Sequence, residues 1–479
     1  MLRTGALVLG FGVVGCAGQT SPATNITSTS VTLNGTVSCN AGDYGTWWWE
    51  YKALDASSWI ATTPHSYSCS FNAGASVKKD ISGLSADTHY LYHLVTDYQN
   101  RGTALYADSR GYLTTDQNDP AAAWSSFDTL ASPPSSVPWG FFDQWRTYTD
   151  PAGATHTPTE QVNLAAAIGS DSARMGIPWA SIESVKTDPQ QLQSLSSWKT
   201  YDAIYNAMQA KSIRPIIVVS NAPAWARDPA AYCPYSGTPC SYPPAAAYDQ
   251  RWKDFVAAVL VRYPQARALE VWNEENLARF WAPEPQPGRY ETVLALAHQA
   301  KLETGSTVPV IIGGLSHPST TTAAAWRADD FLDAIYQQPG GAGAFDGIGD
   351  HPYPMTSPWA DHMWAAIDRI RAVRDRYGDG DKPIWITEVG ISTDPNSSAS
   401  VSLDQQGAVL ANFYTSIATH ESLRPGYHIA ALTIYRFRED VGGTGDSGGY
   451  WGQFGVVTNR LVPKPAYCYL GSALGKPCA

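Results

Sequence analysis

The stretch Leu269-Glu270-Val271-Trp272-Asn273-Glu274-Glu275-Asn276 decides how the chain is read. Leu269 to Trp272 has the make-up of a short buried strand. It follows a helical run that ends near Tyr263-Pro264 and gives way to a polar cluster. A strand that delivers a carboxyl group at its C-terminal end places it at the mouth of an α/β barrel, where such barrels keep their chemistry. A second stretch, Pro383-Ile384-Trp385-Ile386-Thr387-Glu388-Val389-Gly390, has the same form. At roughly 38 residues per strand–helix unit, Glu274 and Glu388 stand three units apart, which assigns them to strands 4 and 7 of a (β/α)8 barrel.

Working outward, eight units fill residues 139–479. Strand 1 is expected at Trp139 to Phe142, strand 2 at Ala173 to Ile177 and strand 3 at Ile213 to Ser220. Strand 5 is expected at Val310 to Gly314, strand 6 at Phe345 to Asp350 and strand 8 at Ala430 to Phe437. Helical runs fall between them, the second spanning Gln190 to Lys211 and the last lying near Lys464 to Tyr467. Strands alternating with helical runs signal a parallel sheet with crossovers, so the fold class is α/β, a TIM barrel. Residues 22–116 read differently. Short alternating runs such as Ser30 to Val37, Thr46 to Tyr51 and His89 to Val95 sit between turn residues, the pattern of a small all-β, immunoglobulin-like sandwich. Within it, Trp47-Trp48-Trp49 reads as strand residues alternating inward and outward rather than as a sugar-binding face. Residues 117–138, rich in Asp, Ala, Ser and Pro, read as a linker.

The chain has 479 residues and a net charge of -11, and it lacks a basic run, which excludes nucleic acid as a partner class. Only 16% of residues are charged, whereas there are 18 Trp and 26 Tyr, a balance suited to neutral sugars. Residues 1–18 read as a signal peptide: Arg3, then an apolar run from Ala6 to Val14 too short to span a bilayer. Val13-Val14-Gly15-Cys16 resembles a bacterial lipobox, so Cys16 is either lipidated or lost by cleavage near Ala17-Gly18. The other six cysteines fall into near-neighbour pairs, Cys39 with Cys69, Cys233 with Cys240 and Cys468 with Cys478, among fifteen connectivities. Disulfides place the protein in an oxidising compartment, extracellular or at the cell surface. No spacing is a zinc pattern, and neither a metal nor a cofactor is expected. The loop Arg438 to Asp446 carries acids that invite calcium, but its spacing is not that of an EF-hand and it reads as a lid. A monomer is expected.

The informative polar residues cluster at strand ends: Arg174 after strand 2, Asn221 after strand 3, Asn273 and Glu274 after strand 4, His351 and Tyr353 after strand 6, and Glu388 at the end of strand 7. Cleaving a glycosidic bond needs one carboxyl held protonated and one held ionised, and their surroundings must set them apart. Arg174 is the candidate to keep Glu388 charged, and Tyr353 to orient it. Asn273 is placed to hold a sugar 2-hydroxyl. Trp179, Trp225, Trp281, Trp385 and Tyr435 are candidate platforms for apolar sugar faces.

With these residues in place, Asn-Glu at strand 4 and Glu at strand 7 resemble the clan A glycoside hydrolases. Trp272-Asn273-Glu274-Glu275-Asn276-Leu277, Phe280-Trp281-Ala282-Pro283, Ile312-Gly313-Gly314-Leu315 and His351-Pro352-Tyr353-Pro354 resemble family 39-like and family 5-like bacterial members. The resemblance implies a retaining glycosidase acting on an oligo- or polysaccharide, with Glu274 as acid/base and Glu388 as nucleophile. A carbohydrate-binding protein on an inactive barrel and a transglycosylase stay open as alternatives. The chain departs from the pattern at two places. Glu275 stands where proline often follows the acid/base, which makes it a rival proton donor. Tyr435-Arg436-Phe437 stands where strand 8 often offers a tryptophan. In the first domain, Ile81-Ser82-Gly83-Leu84-Ser85-Ala86-Asp87-Thr88-His89-Tyr90 resembles the turn into strand F of a fibronectin type III domain, in which the tyrosine makes a corner hydrogen bond.

Overall fold

The structure is a computed structural model, and it describes residues 17–26, 30–54, 56–68, 73–85, 88–107, 113–115, 124–129, 137–236, 239–423, 426–440 and 449–476. The chain divides into two units, residues 1–133 and 134–479.

The second unit is a closed barrel of eight parallel strands in chain order. They are β1 (Trp139–Phe142), β2 (Ser172–Pro178), β3 (Arg214–Ser220), β4 (Ala268–Val271), β5 (Val310–Leu315), β6 (Gly347–Asp350), β7 (Ile384–Val389) and β8 (Ile429–Tyr435). β8 pairs with β1, with Phe142 opposite Tyr435, and this closes the ring. The principal helices are α1 (Pro158–Ala167), α2 (Trp198–Gln209), α3 (Asp249–Arg262), α4 (Pro287–Thr304), α5 (Ala328–Tyr336), α6 (Trp359–Arg376), α7 (Leu403–Leu423) and α8 (Pro465–Ala473).

Barrel strands are covered on both faces, so they read as continuous apolar runs rather than alternating ones. Residues such as Ile217, Val219, Leu269 and Val271 pack outward into the large core shared with the helices. Ile216, Ala268, Ile311, Trp385 and Ala431 form a small layer of their own. Trp385 is therefore barrel filling, which corrects its reading as a sugar platform. Local signals set the helix ends. Thr157 and Glu160 make a reciprocal capping box at the start of α1. α4 stops at Gly305, whose φ of 65° is open to glycine. The expected second helix is shorter than read: a 3-10 turn over Pro189–Ser194 and a break precede α2. Among the described residues, no helix is long and apolar enough to cross a membrane.

The first unit holds two antiparallel sheets. Ala17–Thr24, Ser30–Cys39 and Ala73–Ser82 form one. Tyr44–Ala53 and His89–Tyr98 lead the other. Their inward side chains, among them Leu33, Trp49, Tyr92 and Leu94, share one core. Trp49 is buried, while Trp48 donates its Nε1–H to Glu50 Oε1 at 2.9 Å. The Tyr90 hydroxyl accepts from Ser85 N at 2.9 Å.

Two boundaries differ from expectation. The first strand begins at Ala17, ahead of residue 22, and takes in the two residues assigned to the end of the leader. Ser125–Asp128, within the expected linker, pairs with His89–Tyr92, and Phe127 enters the core. Its aromatic residue is buried like a strand's, and the surrounding Ala, Ser and Pro residues mask that signal.

The Cys233–Cys240 disulfide is formed. Cys468 is disulfide-bonded too, while Cys16, Cys69 and Cys478, and the side chain of Cys39, lie outside the described residues.

Candidate active site

Strand register brings the polar residues together. Arg174 lies opposite Ile216, whose neighbours fill the barrel interior, so its side chain runs upward inside the ring. The pairing of β7 with β8 shifts between Ile386 and Val389, which breaks the alternation at Glu388. At the end of β4, Trp272 and Glu274 hold φ values of 83° and 47°. Left-handed backbone at non-glycine residues costs on the order of 1 to 3 kcal/mol each and persists where the surroundings over-determine it.

Arg174 is buried and organises the site. Its Nη1–H donates to Glu388 Oε1 at 2.5 Å, and its Nη2–H to Asn273 Oδ1 at 2.8 Å. Behind it stands Glu270, which accepts from Arg174 Nε at 2.6 Å and Nη2 at 3.1 Å. Glu270 also accepts from Gly314 N and Thr387 Oγ1, both at 2.8 Å, so this fully buried carboxylate is well satisfied. Burial alone would discharge Arg174, but the Glu270 and Glu388 charges outweigh it and raise its pKa.

Glu388 accepts a second bond, from the Tyr353 hydroxyl at 2.9 Å. Burial first, and then the Glu388 charge, push the Tyr353 phenol well above its ordinary range, so it stays a donor. His351 links the two carboxylates. Its Nδ1 lies 3.0 Å from Glu274 Oε1 and 3.8 Å from Glu388 Oε2. Burial opposes a charge on this imidazole, but the Glu388 charge and the Glu274 hydrogen bond prevail and raise its pKa. Gly314 makes room for it: a Cβ there would collide with the His351 ring and with Thr387 Oγ1.

The two glutamates keep side-chain exposures of 16% for Glu274 and 11% for Glu388, enough to meet a ligand. Glu275 does not qualify. Its carboxyl is fully buried between Gly313 and the Tyr290 hydroxyl, away from the mouth. Burial holds its pKa well above the usual carboxylate range.

Other expected ligand contacts are corrected. Trp179 and Trp281 are fully buried and have no face to offer a sugar. Trp179 donates instead to Glu183 Oε2 at 3.0 Å, and Trp281 packs on Trp272 and Tyr290. Trp225 is partly buried; its Nε1–H is tied to Glu183 O at 3.0 Å, and its ring packs edge-on against Trp179 and Tyr248. Asn221 is a turn residue with φ 53°, its Oδ1 accepting from Tyr242 N at 3.3 Å to pin the loop after β3. Tyr435 does reach the site. It stacks on Phe142 at 5.4 Å and meets Tyr353 at 6.2 Å, and burial pushes its phenol up to about 12.

Sequence reasoning passed over Glu270 and Thr387. Glu270 had a signal: a charge inside an apolar strand must be paired if it is buried. Among the described residues, no group of three or more His, Cys, Asp or Glu is arranged to hold a metal. Residues 441–446 of the loop weighed for calcium lie outside the described residues, and Glu439 accepts from Lys464 Nζ at 2.8 Å.

No protein-family model matches the chain, and no curated protein matches it in sequence. Among solved structures it is similar to a family 39 glycoside hydrolase from the gut symbiont Bacteroides cellulosilyticus WH2, at 17% identity and a TM-score of 0.49 over 91% of this chain and 81% of that one. It is similar to a β-glucuronidase of Bacteroides uniformis at 12% identity and a TM-score of 0.44, over 96% of this chain and 50% of that one, so it spans about half that enzyme's length. It is also similar to a glucosidase from Croceicoccus marinus at 12% identity and a TM-score of 0.52, over 71% of this chain and 68% of that one. At such identities the likeness is one of fold: the second unit is a (β/α)8 barrel of the architecture found in that glucosidase.

Proposed function

We propose that the barrel is a retaining O-glycoside hydrolase. The observation that carries this reading is the pair Glu274 and Glu388 at the C-terminal mouth, joined through His351 and unequally supported. Glu388 accepts from a guanidinium and a phenol, donors that stabilise an anion. Glu274 is met by His351, whose Nδ1 lies 3.0 Å from its Oε1. Glu388 is thus the nucleophile and Glu274 the acid/base. Glu388 attacks the anomeric carbon as Glu274 gives its proton to the leaving oxygen. Glu274 then takes a proton from the water that displaces Glu388. Two carboxylates near one imidazole nitrogen favour the short retaining gap of about 5 to 5.5 Å over the inverting range of about 6.5 to 9.5 Å. Asn273, fixed by Arg174, is the partner for the sugar 2-hydroxyl. No cofactor enters this scheme.

The same reading takes the first unit as a fibronectin type III-like module, supported by the Tyr90 corner bond. It takes the chain as exported, in keeping with the Cys233–Cys240 disulfide.

The test is hydrolysis of a panel of aryl glycosides and polysaccharides by the wild type, Glu274→Gln and Glu388→Gln. Both variants should lose at least about a thousandfold in kcat. Azide should restore turnover to Glu388→Gly with an aryl leaving group, giving the glycosyl azide of inverted configuration. A wild type that binds glycans but cleaves none overturns the reading.

A further inference from the structure

We infer that Arg227 and Tyr242 form the subsite for the sugar on the leaving side of the cleaved bond, and that this sugar carries an anionic group; the inference rests on the glycosidase reading above. Displacement at the anomeric carbon expels the leaving group away from the nucleophile. β3 and β7, which carries Glu388, stand four strands apart in the closed ring, so the loop after β3 lies across the mouth from the nucleophile. That loop starts level with the acid/base. Val219 pairs with Val271, and Asn221 and Asn273 each follow two residues later. Asn221 Oδ1 accepts from Tyr242 N at 3.3 Å, and Ala222 N donates to Tyr242 O at 2.9 Å. On its other side this segment meets the loop that follows Glu274: Ser241 N donates to Arg279 O and Ala282 N to Ser241 O, both at 3.0 Å. Tyr242 is thereby fixed at the mouth between β3 and β4.

Arg227 supplies the charge. Its guanidinium lies over the half-buried Tyr242 ring, 4.5 Å from the centroid. Stacking fixes the guanidinium plane and leaves the N–H groups at its edge available, the fork that takes two oxygens of a carboxylate or sulfate. The neighbouring acids have other partners. Asp228 Oδ1 accepts from Ala230 N at 2.8 Å, Asp188 Oδ1 accepts from Gln190 N at 2.9 Å, and Glu183 is held by Arg251. A second cation, Lys186, stands 5.9 Å from the Trp225 ring centroid and 5.4 Å from that of Tyr248. Among the described residues, neither Arg227 nor Lys186 enters an ion pair. The Cys233–Cys240 disulfide closes part of the loop between Arg227 and Tyr242, so less freedom is lost when a ligand orders the pair. The low charge of the whole chain suits neutral sugars, but a subsite answers to the charges beside it, and these are cations without acids.

The experiment loads the full chain with glycosyl from an aryl glycoside that it cleaves and offers three acceptors in turn: methyl glucoside, methyl glucuronide and methyl glucoside 6-sulfate. An acceptor hydroxyl attacks the anomeric carbon, Glu274 takes its proton, and Glu388 departs as the carboxylate, so transfer competes with hydrolysis and reads the leaving-side subsite. The variants are Arg227→Gln, Arg227→Lys and Tyr242→Ala, each checked for an unchanged melting temperature. The wild type should prefer a charged acceptor over the neutral one by at least about tenfold, and the better of the glucuronide and the sulfate names the anionic group. Arg227→Gln should bring that preference to about one, and Arg227→Lys should recover part of it. Tyr242→Ala should lower transfer to every acceptor about tenfold. A wild type that transfers equally to neutral and charged acceptors, or to none of them, overturns the anionic subsite. A preference that survives Arg227→Gln takes it away from Arg227, and indifference to Tyr242→Ala removes the ring from it. A wild type inert on every glycoside, a separate result, removes the glycosidase reading beneath.

Discussion

Glu270 decides how much of the Arg174 charge Glu388 feels. One guanidinium faces two carboxylates, and Glu270 takes the bidentate share. Replacing Glu270 by Gln keeps the shape and removes the competing charge, so Arg174 acts on Glu388 alone. Glu388 is then bound more tightly by Arg174 and is less free to attack. We expect kcat/KM to fall about 10- to 100-fold, mostly in kcat. A variant with the wild-type kcat would reduce Glu270 to packing. Glu275 offers the opposite case, a buried carboxyl with no cation beside it. Burial raises its pKa, so the folded chain keeps a proton that the unfolded chain releases above about pH 4.3. Its contribution to stability is whole below that pH and drains away as pH climbs through the folded pKa, by up to about 1.4 kcal/mol per unit. Gln does not titrate. The melting temperature of Glu275→Gln relative to wild type should therefore rise from pH 4.5 to pH 8; a difference constant with pH would contradict the account. Both residues lie in the run Leu269 to Asn276. Strand-end position brought out Glu274 and Glu388, whereas the state of Glu275 depends on Gly313 and Tyr290, which reach it from elsewhere in the chain.

At the scale of elements, β5 does the least visible work. Gly313 and Gly314 offer no side chain, and the pairing of β5 with β6 is irregular between Ile312 and Leu315. Their emptiness lets Glu275 and the His351 ring approach the strand. Gly314→Ala should displace His351 and cost at least about 100-fold in kcat, since small misplacements at the reacting centre carry such penalties. Far-ultraviolet circular dichroism should stay barrel-like. Unchanged kcat in that variant would mean that His351 is not held where the strand puts it. Elements of this kind were legible in the sequence as apolar runs with glycines. Their purpose was not, because close approach is a property of the neighbours. The same holds for the buried tryptophans. Trp179 and Trp281 follow strand ends just as a platform would, and only packing against Phe255, Trp272 and Tyr290 shows them turned inward.

For the molecule as a whole, the division of labour is uneven. The described side chains of the candidate site and the large core that supports it belong to residues 134–479. The sandwich-type core built from Leu33, Trp49, Tyr92 and Phe127 is separate and self-contained. A core of its own is what lets a domain fold alone. A chain beginning at residue 134 should therefore melt cooperatively and keep kcat on a small aryl glycoside within about twofold of the full chain. Activity on a polysaccharide measures something else: a drop there with the aryl substrate unaffected would assign the first unit to capture of long substrates. Loss of the aryl activity itself, in a shortened chain that still shows native circular dichroism, would mean that the first unit completes the site, and the barrel could no longer be treated as the whole enzyme.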